Sequence, residues 1–262
     1  MSYETIRFEV DAGVANIHLN RPDAANALNM QMGKEFMEVC LRCDADPKVR
    51  AVLITAEGKM FCGGGDLAEF ASYDDEIVTK LKELTGYLHM GTSRLLRGDA
   101  PVVVAVQGVA AGAGMSIALG GDLVLASEKA RFTMAYTKAG LVPDGGSTHL
   151  LPRVVGLRRA QELIFENRVL SAQEAQEWGV VTRVVAPEAL LDQAREAAAK
   201  FAQGPTVAFG VAKRLLAGTF DTSLETQLEL ESRGICTTAV TADGPEGIHA
   251  FLEKRPAKFK GA

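Results

Sequence analysis

The sequence lacks the pairings that mark a metal protein or a disulfide framework. Its four cysteines, Cys40, Cys43, Cys62 and Cys236, include one close pair, C-L-R-C, and no second Cys or His pair to complete a zinc site. Among its four histidines no two stand at helical ligand spacing. No metal is expected, and all four cysteines read as reduced thiols of a cytoplasmic protein. Excess positive charge is missing too. The chain of 262 residues has 28 Lys and Arg against 33 Asp and Glu, a net charge of −5. That balance offers no basic footprint for nucleic acid or an anionic membrane. No apolar run is long enough for a membrane span. The most apolar segment, PVVVAVQGVAAGAGMSIALGG, is broken by Gln107 and several glycines and reads as buried strand, turn and helix. The opening MSYETIRFEV has no basic segment followed by an apolar one, so no secretory signal is expected. Internal repeats and low-complexity tracts are also missing.

What is present is an ordinary globular composition, 47% hydrophobic and 23% charged, enough for one large domain with or without an appendage. TIRFEV and VANIHL alternate around Asp11-Ala12-Gly13, which predicts a hairpin. MQMGKEFMEVCLRCDAD has helical periodicity, RAVLIT is a compact apolar strand, and a helical tract runs from about Asp75 to Arg97. VVVAV is the next strand, GVAAGAG turns the chain into a helix ending at Gly120-Gly121, and DLVLAS is a strand again. This alternation predicts an α/β core with mostly parallel strands, over residues 1–200. After Gly146 helical patterns dominate, and strand signal survives only around VVTRVV. Residues 201–262 are expected to form a helical, oligomer-forming appendage.

Two glycine-rich turns each follow a buried strand and open a helix: FCGGGDL after RAVLIT, and GVAAGAG after VVVAV. Small residues at such turns free backbone N–H groups to face a ligand, and a helix N-terminus adds the positive end of its dipole. Neither turn is a P-loop or a dinucleotide fingerprint. Two such turns converging would make a pair of amides suited to a thioester carbonyl becoming an enolate. The third stretch is GLVPDGGST, where Asp144 sits between a proline and two glycines. On its own it reads as a turn, with Asp144 capping the helix THLLPRVVG.

RPDAANALN, FCGGGDL, PVVVAVQGVAAGAG, ASEKARF, GLVPDGGST, LSAQEAQEWGVVTRVV and GIHAFLEKRPAKF together, in order along the whole chain, resemble the crotonase (enoyl-CoA hydratase/isomerase) superfamily. The PDGG setting resembles the phenylacetate-pathway isomerase type. The resemblance implies a ββα spiral core with a C-terminal helical domain, assembly as a trimer or dimer of trimers, and an acyl-CoA thioester as substrate. No separate cofactor is implied. By position, the oxyanion hole would use the N–H groups of Gly65 and Ala113, with Gly63, Asp66 and Leu67 beside the first. Coenzyme A's adenine would meet the stretch Ala25, Asn26, Ala27 and Leu28. Relatives often carry a cation where this chain has Ala24 and Ala25, so a phosphate contact would be either lost here or supplied by Arg21 or by Lys258 of a neighbouring subunit. Met134 would line the acyl pocket.

The resemblance also sorts the reactions. Hydratases of this family use two glutamates, one three residues past the second oxyanion donor, where this chain has Ser116, and one where it has Tyr136. Neither residue is a base near neutral pH without help. Asp144, eight residues after Tyr136, matches the carboxylate of relatives that shift a double bond. One carboxylate suffices for that shift, and Leu141, Val142 and Pro143 are the apolar neighbours expected around it. In the 4-chlorobenzoyl-CoA dehalogenase relatives the matching Asp is a nucleophile, and their catalytic His matches His89. Dehalogenation, hydration and non-catalytic acyl-CoA binding stand as alternatives to the isomerase.

Overall fold

The computed structural model describes residues 3–262. Strands β1 (Ile6–Asp11) and β2 (Val14–Leu19) form the expected antiparallel hairpin, with Ala12 and Gly13 at φ 47° and 83° in the turn. Helix α1 (Met30–Ala45) starts where the Asn29 side chain accepts the Met32 N–H, and it buries Met32, Phe36, Val39, Cys40 and Cys43 along one stripe. Strand β3 (Ala51–Ala56), the short helix α2 (Leu67–Ala71) and the long helix α3 (Ile77–Arg97) follow. Then come β4 (Val102–Val106), β5 (Val109–Ala111) and α4 (Ala113–Leu119), and after them β6 (Leu123–Ser127), β7 (Arg131–Thr133) and α5 (Ser147–Val155). The chain continues through α6 (Leu157–Phe165), β8 (Leu170–Ser171), α7 (Ala172–Glu177) and β9 (Arg183–Val185). It ends in α8 (Leu190–Ala202), α9 (Thr206–Gly218), α10 (Leu224–Ala239) and α11 (Asp243–Leu252).

The strands divide between two sheets. The larger has the order β1-β2-β3-β4-β6-β9 and is parallel after the first pair; the smaller has the order β5-β7-β8. Twice the chain lays a longer strand in the first sheet, a short one in the second, and then a helix, in β4-β5-α4 and in β6-β7-α5, the α/β spiral that the family resemblance implies. Strand β4 is buried on both faces, as a central parallel strand must be. Val102, Val104 and Val106 face the main core; Val103 and Ala105 face Leu190, Ala194, Ala198 and Ala202 of α8. The boundary expected at residue 200 therefore falls inside α8, a helix that covers the back of the sheet. Helix α9 is tied on by Lys213, whose ammonium donates to the carbonyls of Leu95 and Ala100, both at 3.0 Å, and pairs with Asp122 at 2.7 Å.

Three strands differ from expectation. Residues 109–111 of GVAAGAG form β5 rather than turn, and β7 and β8 carry only three and two residues. Runs that short show no period-two pattern, and pairing with neighbours sets their conformation. Cys40, Cys43 and Cys62 are buried and Cys236 is exposed, all four as free thiols. Among the described residues no helix is long and apolar enough to cross a membrane.

Glu35 of α1 anchors the N-terminal segment. It is only 3% exposed, yet it accepts the amides of Glu4 at 2.7 Å and Thr5 at 2.8 Å, the Thr5 hydroxyl, and Gln31 at 2.9 Å. Burial pushes its titration up, but these donors outweigh burial and hold the carboxyl below its ordinary value of 4.5. A carboxyl held low in the fold contributes stability above its unfolded value and loses it as the pH falls through the folded one. Glu35→Gln is expected to cost about 1–3 kcal/mol at pH 7. The gap from the parent should narrow below about pH 4.5, as urea unfolding at the two pH values would show.

Candidate active site

The two glycine loops are stitched together by main-chain bonds. Phe61 and Cys62 donate to the Val109 carbonyl at 3.0 and 3.1 Å, and Ala111 donates to the Cys62 carbonyl at 2.9 Å. A side chain at Gly64, which has φ 108°, would press on the Ala111 carbonyl at 3.2 Å; one at Gly112, with φ 51°, would meet the Gly64 Cα at 3.3 Å. Glycine is thus required at both positions by conformation and by close approach. Beyond this contact the loops leave several amides unspent, those of Gly64, Gly65, Ala113 and Gly114. Among the described residues the N–H groups of Gly65 and Ala113 donate to no main-chain or side-chain acceptor. Ala113 is the first residue of α4, so its amide is one of the helix's orphan donors. The Phe70 ring covers Gly65, and a Cβ there would lie 2.7 Å from it. The neighbouring Cys62 thiol is fully buried, and desolvation pushes it up to about 11, too high to serve as a thiolate nucleophile near neutral pH.

Asp144 does not cap α5. Gly146 holds the cap position, and it is the Asp144 carbonyl that accepts the Ser147 amide at 3.1 Å and hydroxyl at 2.8 Å. The side chain is left free because Gly145 and Gly146 both take positive φ, 62° and 83°. A Cβ on Gly145 would meet Ser116 at 3.0 Å and Leu88 at 3.3 Å, so this turn lies directly on α4 and α3. The carboxylate points back toward the loop after β7, where the Tyr136 hydroxyl donates to Oδ1 at 2.6 Å. Ser116 Oγ lies 3.1 Å from the same phenol oxygen and 3.3 Å from the Gly112 carbonyl. On the other side, His89 Nε2 is 3.9 Å from Asp144 Oδ2 and accepts the Gly145 N–H at 3.2 Å. Ser116, Tyr136, Asp144 and His89, drawn from four separate parts of the chain, therefore meet at one place beside the two amides' helix. Of the apolar neighbours expected around Asp144, Pro143 is buried but Val142 turns outward, 74% exposed. The Asp144 side chain is itself only 24% exposed.

Burial, together with the adjacent Asp144 carboxylate, drives the ionisation of Tyr136 far above the ordinary phenol value. Tyr136 is a proton donor in hydrogen bonds here and not a base. Residue-by-residue matching registers it only as a missing carboxylate among substrate-contacting positions. Its bond to Asp144 joins residues too far apart for any spacing rule to reveal.

The remaining candidates fall into place around the first loop. Gly63 donates to the Ala25 carbonyl at 2.9 Å, Leu28 donates to the Gly64 carbonyl at 2.7 Å, and Asp66 donates to the Leu28 carbonyl at 3.0 Å. The stretch from Ala25 to Leu28 thus runs directly beside Gly63–Asp66. Buried Asn26 fastens it from below, donating to the carbonyls of Glu57 at 2.8 Å and Met60 at 2.9 Å. Asp66 caps α2 and pairs with Arg21 at 3.0 Å, and Arg21 also donates to the Ala27 carbonyl. Arg21 thus helps to hold the loop. Leu67, at the start of α2, is 53% exposed, whereas Met134 is completely buried in the core. Lys258 lies on the C-terminal tail, its amide donating to Glu246 at 2.7 Å. Among the described residues no hydrogen bond or ion pair joins it to the Asp144 cluster.

Comparison with known proteins gives a consistent result along the full chain. Residues 9–262 match the family model described as enoyl-CoA hydratase/isomerase. The sequence is 39% identical over 259 residues to 1,2-epoxyphenylacetyl-CoA isomerase of Escherichia coli (strain K12), covering 98% of this chain and 99% of that one. It is 38% identical over 261 residues to a Rhodobacter capsulatus protein named "Probable enoyl-CoA hydratase", covering 100% of both. The crystal structure of enoyl-CoA hydratase/isomerase from Cupriavidus metallidurans CH34 superposes with a TM-score of 0.91 at 35% identity, covering 100% of this chain and 98% of that one.

Proposed function

The chain belongs to the enoyl-CoA hydratase/isomerase family, and on that premise we propose that it is an acyl-CoA isomerase with Asp144 as its single acid–base group. The observation that carries this is the make-up of the Asp144 cluster. The two positions where water-adding relatives place glutamates hold Ser116 and Tyr136, and both are hydrogen-bonded into a chain that ends on the Asp144 carboxylate. Adding water needs one group to activate it and another to protonate the α-carbon; a 1,3-proton shift needs only one. In the proposed reaction the thioester oxygen accepts the Gly65 and Ala113 amides. Asp144 removes a proton from C2 of a 3-enoyl-CoA, the electron pair delocalises into the thioester as a dienolate, and the same carboxyl returns the proton to C4. The product is the conjugated 2-enoyl-CoA. Ring opening of an epoxide next to the thioester would draw on the same enolate stabilisation, and the Escherichia coli relative supports that variant.

The nearness of His89 to Asp144 Oδ2, 3.9 Å, favours a second reading, hydrolytic dehalogenation with Asp144 as nucleophile. One set of incubations separates the possibilities. A 3-enoyl-CoA in D₂O is expected to yield the isomeric 2-enoyl-CoA, with deuterium at C4 only in the part of the product whose carried proton has exchanged, and with no product heavier by one water. A water adduct would instead establish a hydratase, and halide release from 4-chlorobenzoyl-CoA a dehalogenase. Tight thioester binding with no conversion of either compound would leave a non-catalytic binder.

Ile235, Val240, Phe251 and Leu252 on and beside the last two helices are all at least 70% exposed, which supports assembly through this region as a homotrimer or a dimer of trimers. Phe251→Asp is expected to shift the particle mass toward the monomer in light scattering; an unchanged mass would argue against this surface.

A further inference from the structure

We propose that Tyr136 is a positioning residue for the proton transfer: its hydroxyl pins Oδ1 of Asp144, so that Oδ2 alone takes and returns the proton, and Ser116 in turn holds Tyr136. This rests on the reading of Asp144 as the base.

A phenol has one hydrogen, and that of Tyr136 goes to Asp144 Oδ1 at 2.6 Å. In the 3.1 Å contact between Ser116 and Tyr136, the serine is therefore the donor, its single hydrogen shared between the phenol oxygen and the Gly112 carbonyl at 3.3 Å. The result is a directed chain, Ser116 to Tyr136 to Asp144. The second carboxylate oxygen is treated differently. Among the described residues Oδ2 accepts no hydrogen bond, and His89 Nε2 lies 3.9 Å from it. That nitrogen faces the Gly145 N–H, which it accepts at 3.2 Å. One oxygen is thus held and the other is left open.

This asymmetry suits a one-base shift. A carboxylate fixed at Oδ1 cannot turn about its Cβ–Cγ bond, so the oxygen that removes a proton from C2 is the oxygen that meets C4. The Tyr136 ring also occupies ground where water would otherwise solvate Oδ1. A proton carried on Oδ2 then has little opportunity to exchange before it is returned. Removing the hydroxyl admits water or lets the carboxylate rotate, and the carried proton is lost to solvent more often.

The test uses the full-length protein and a 3-enoyl-CoA in D₂O. Two quantities are read: kcat, and the fraction of product that keeps its original proton. For Tyr136→Phe, loss of a hydrogen bond to a charged group is expected to lower kcat roughly 10- to 100-fold. KM should change little, and the retained-proton fraction should drop. Ser116→Ala, which removes a bond between neutral groups, should lower kcat roughly 2- to 10-fold and move the fraction the same way. The fraction is a ratio within the turned-over product, so a loss of folded protein does not alter it. Asp144→Asn serves as the control on the underlying assignment. If that variant keeps its activity, the base itself is misassigned. If it is inactive while Tyr136→Phe matches the parent in both kcat and retained proton, the base stands and the positioning role is overturned. A fall in kcat with the retained fraction unchanged also overturns the pinning of Oδ1.

Discussion

Asp144→Asn is expected to lower kcat for double-bond transfer by roughly 10²- to 10⁴-fold, the usual contribution of a positioned acid–base group. Affinity for the CoA thioester should change little. The amide is nearly the same size as the carboxylate, and Asp144 does not support the fold through its side chain. The turn is held by the amide and hydroxyl of Ser147, both donating to the Asp144 carbonyl, and by the two left-handed glycines, none of which involve the carboxylate. Asparagine can keep its carbonyl oxygen on the Tyr136 hydroxyl, so the cluster should survive the change. What it cannot do is accept and return a proton. Steady-state kinetics with equilibrium binding of a saturated acyl-CoA separates the two effects. A variant that binds normally but retains more than a tenth of the parent rate would mean that another group carries the proton.

Gly114→Ala should cost roughly 10²- to 10³-fold in kcat, comparable with removing one oxyanion donor. A Cβ at this position would lie 2.4 Å from the Cys62 carbonyl oxygen and 3.0 Å from its carbon. No side-chain rotation relieves a collision with main chain, so α4 must move away from the first loop. Ala113 is the preceding residue, and its amide moves with the helix. The Gly65 and Ala113 amides, proposed to share the thioester oxygen, then no longer keep their relative placement. Some stability is lost as well, about 1–3 kcal/mol for an overpacked contact, so the assay belongs well below the variant's melting temperature. Gly86→Ala is the matched control. A methyl group there meets nothing within 4 Å on helix α3, and the change should raise stability slightly with activity untouched. If Gly114→Ala turned over normally, the convergence of the loops would not matter to the reaction.

Periodicity was informative where elements were long and buried one face. It marked the β1–β2 hairpin, α1, β3, α3 and β4 closely, since apolar spacing in those segments is dictated by the core they face. It failed on β5, β7 and β8, whose conformation comes from pairing with neighbours rather than from their own residues. The spiral repeat was also invisible, because successive turns share geometry and not sequence. At the site, the glycine loops were legible because close main-chain approach demands glycine at Gly64 and Gly112 whatever the ligand. Asp144 was legible as a turn residue and, by family position, as a carboxylate of interest. Local chemistry misassigned its side chain to a helix cap, since a capping rule knows nothing of a phenol eight residues upstream. The bonds from Ser116 through Tyr136 to Asp144 exist only once α4, the loop after β7 and the turn before α5 are packed together.

The central claim is that two main-chain amides hold the thioester oxygen while one carboxylate oxygen faces the carbons that exchange a proton. A crystal structure of Asp144→Asn with a bound 3-enoyl-CoA tests it most directly. The thioester oxygen should lie about 3 Å from both the Gly65 and Ala113 nitrogens. The residue 144 side chain should keep one terminal atom on Tyr136 and bring the other within roughly 3–3.5 Å of C2 and C4. A thioester bound away from those amides would contradict the account, as would an ordered water between residue 144 and the acyl chain.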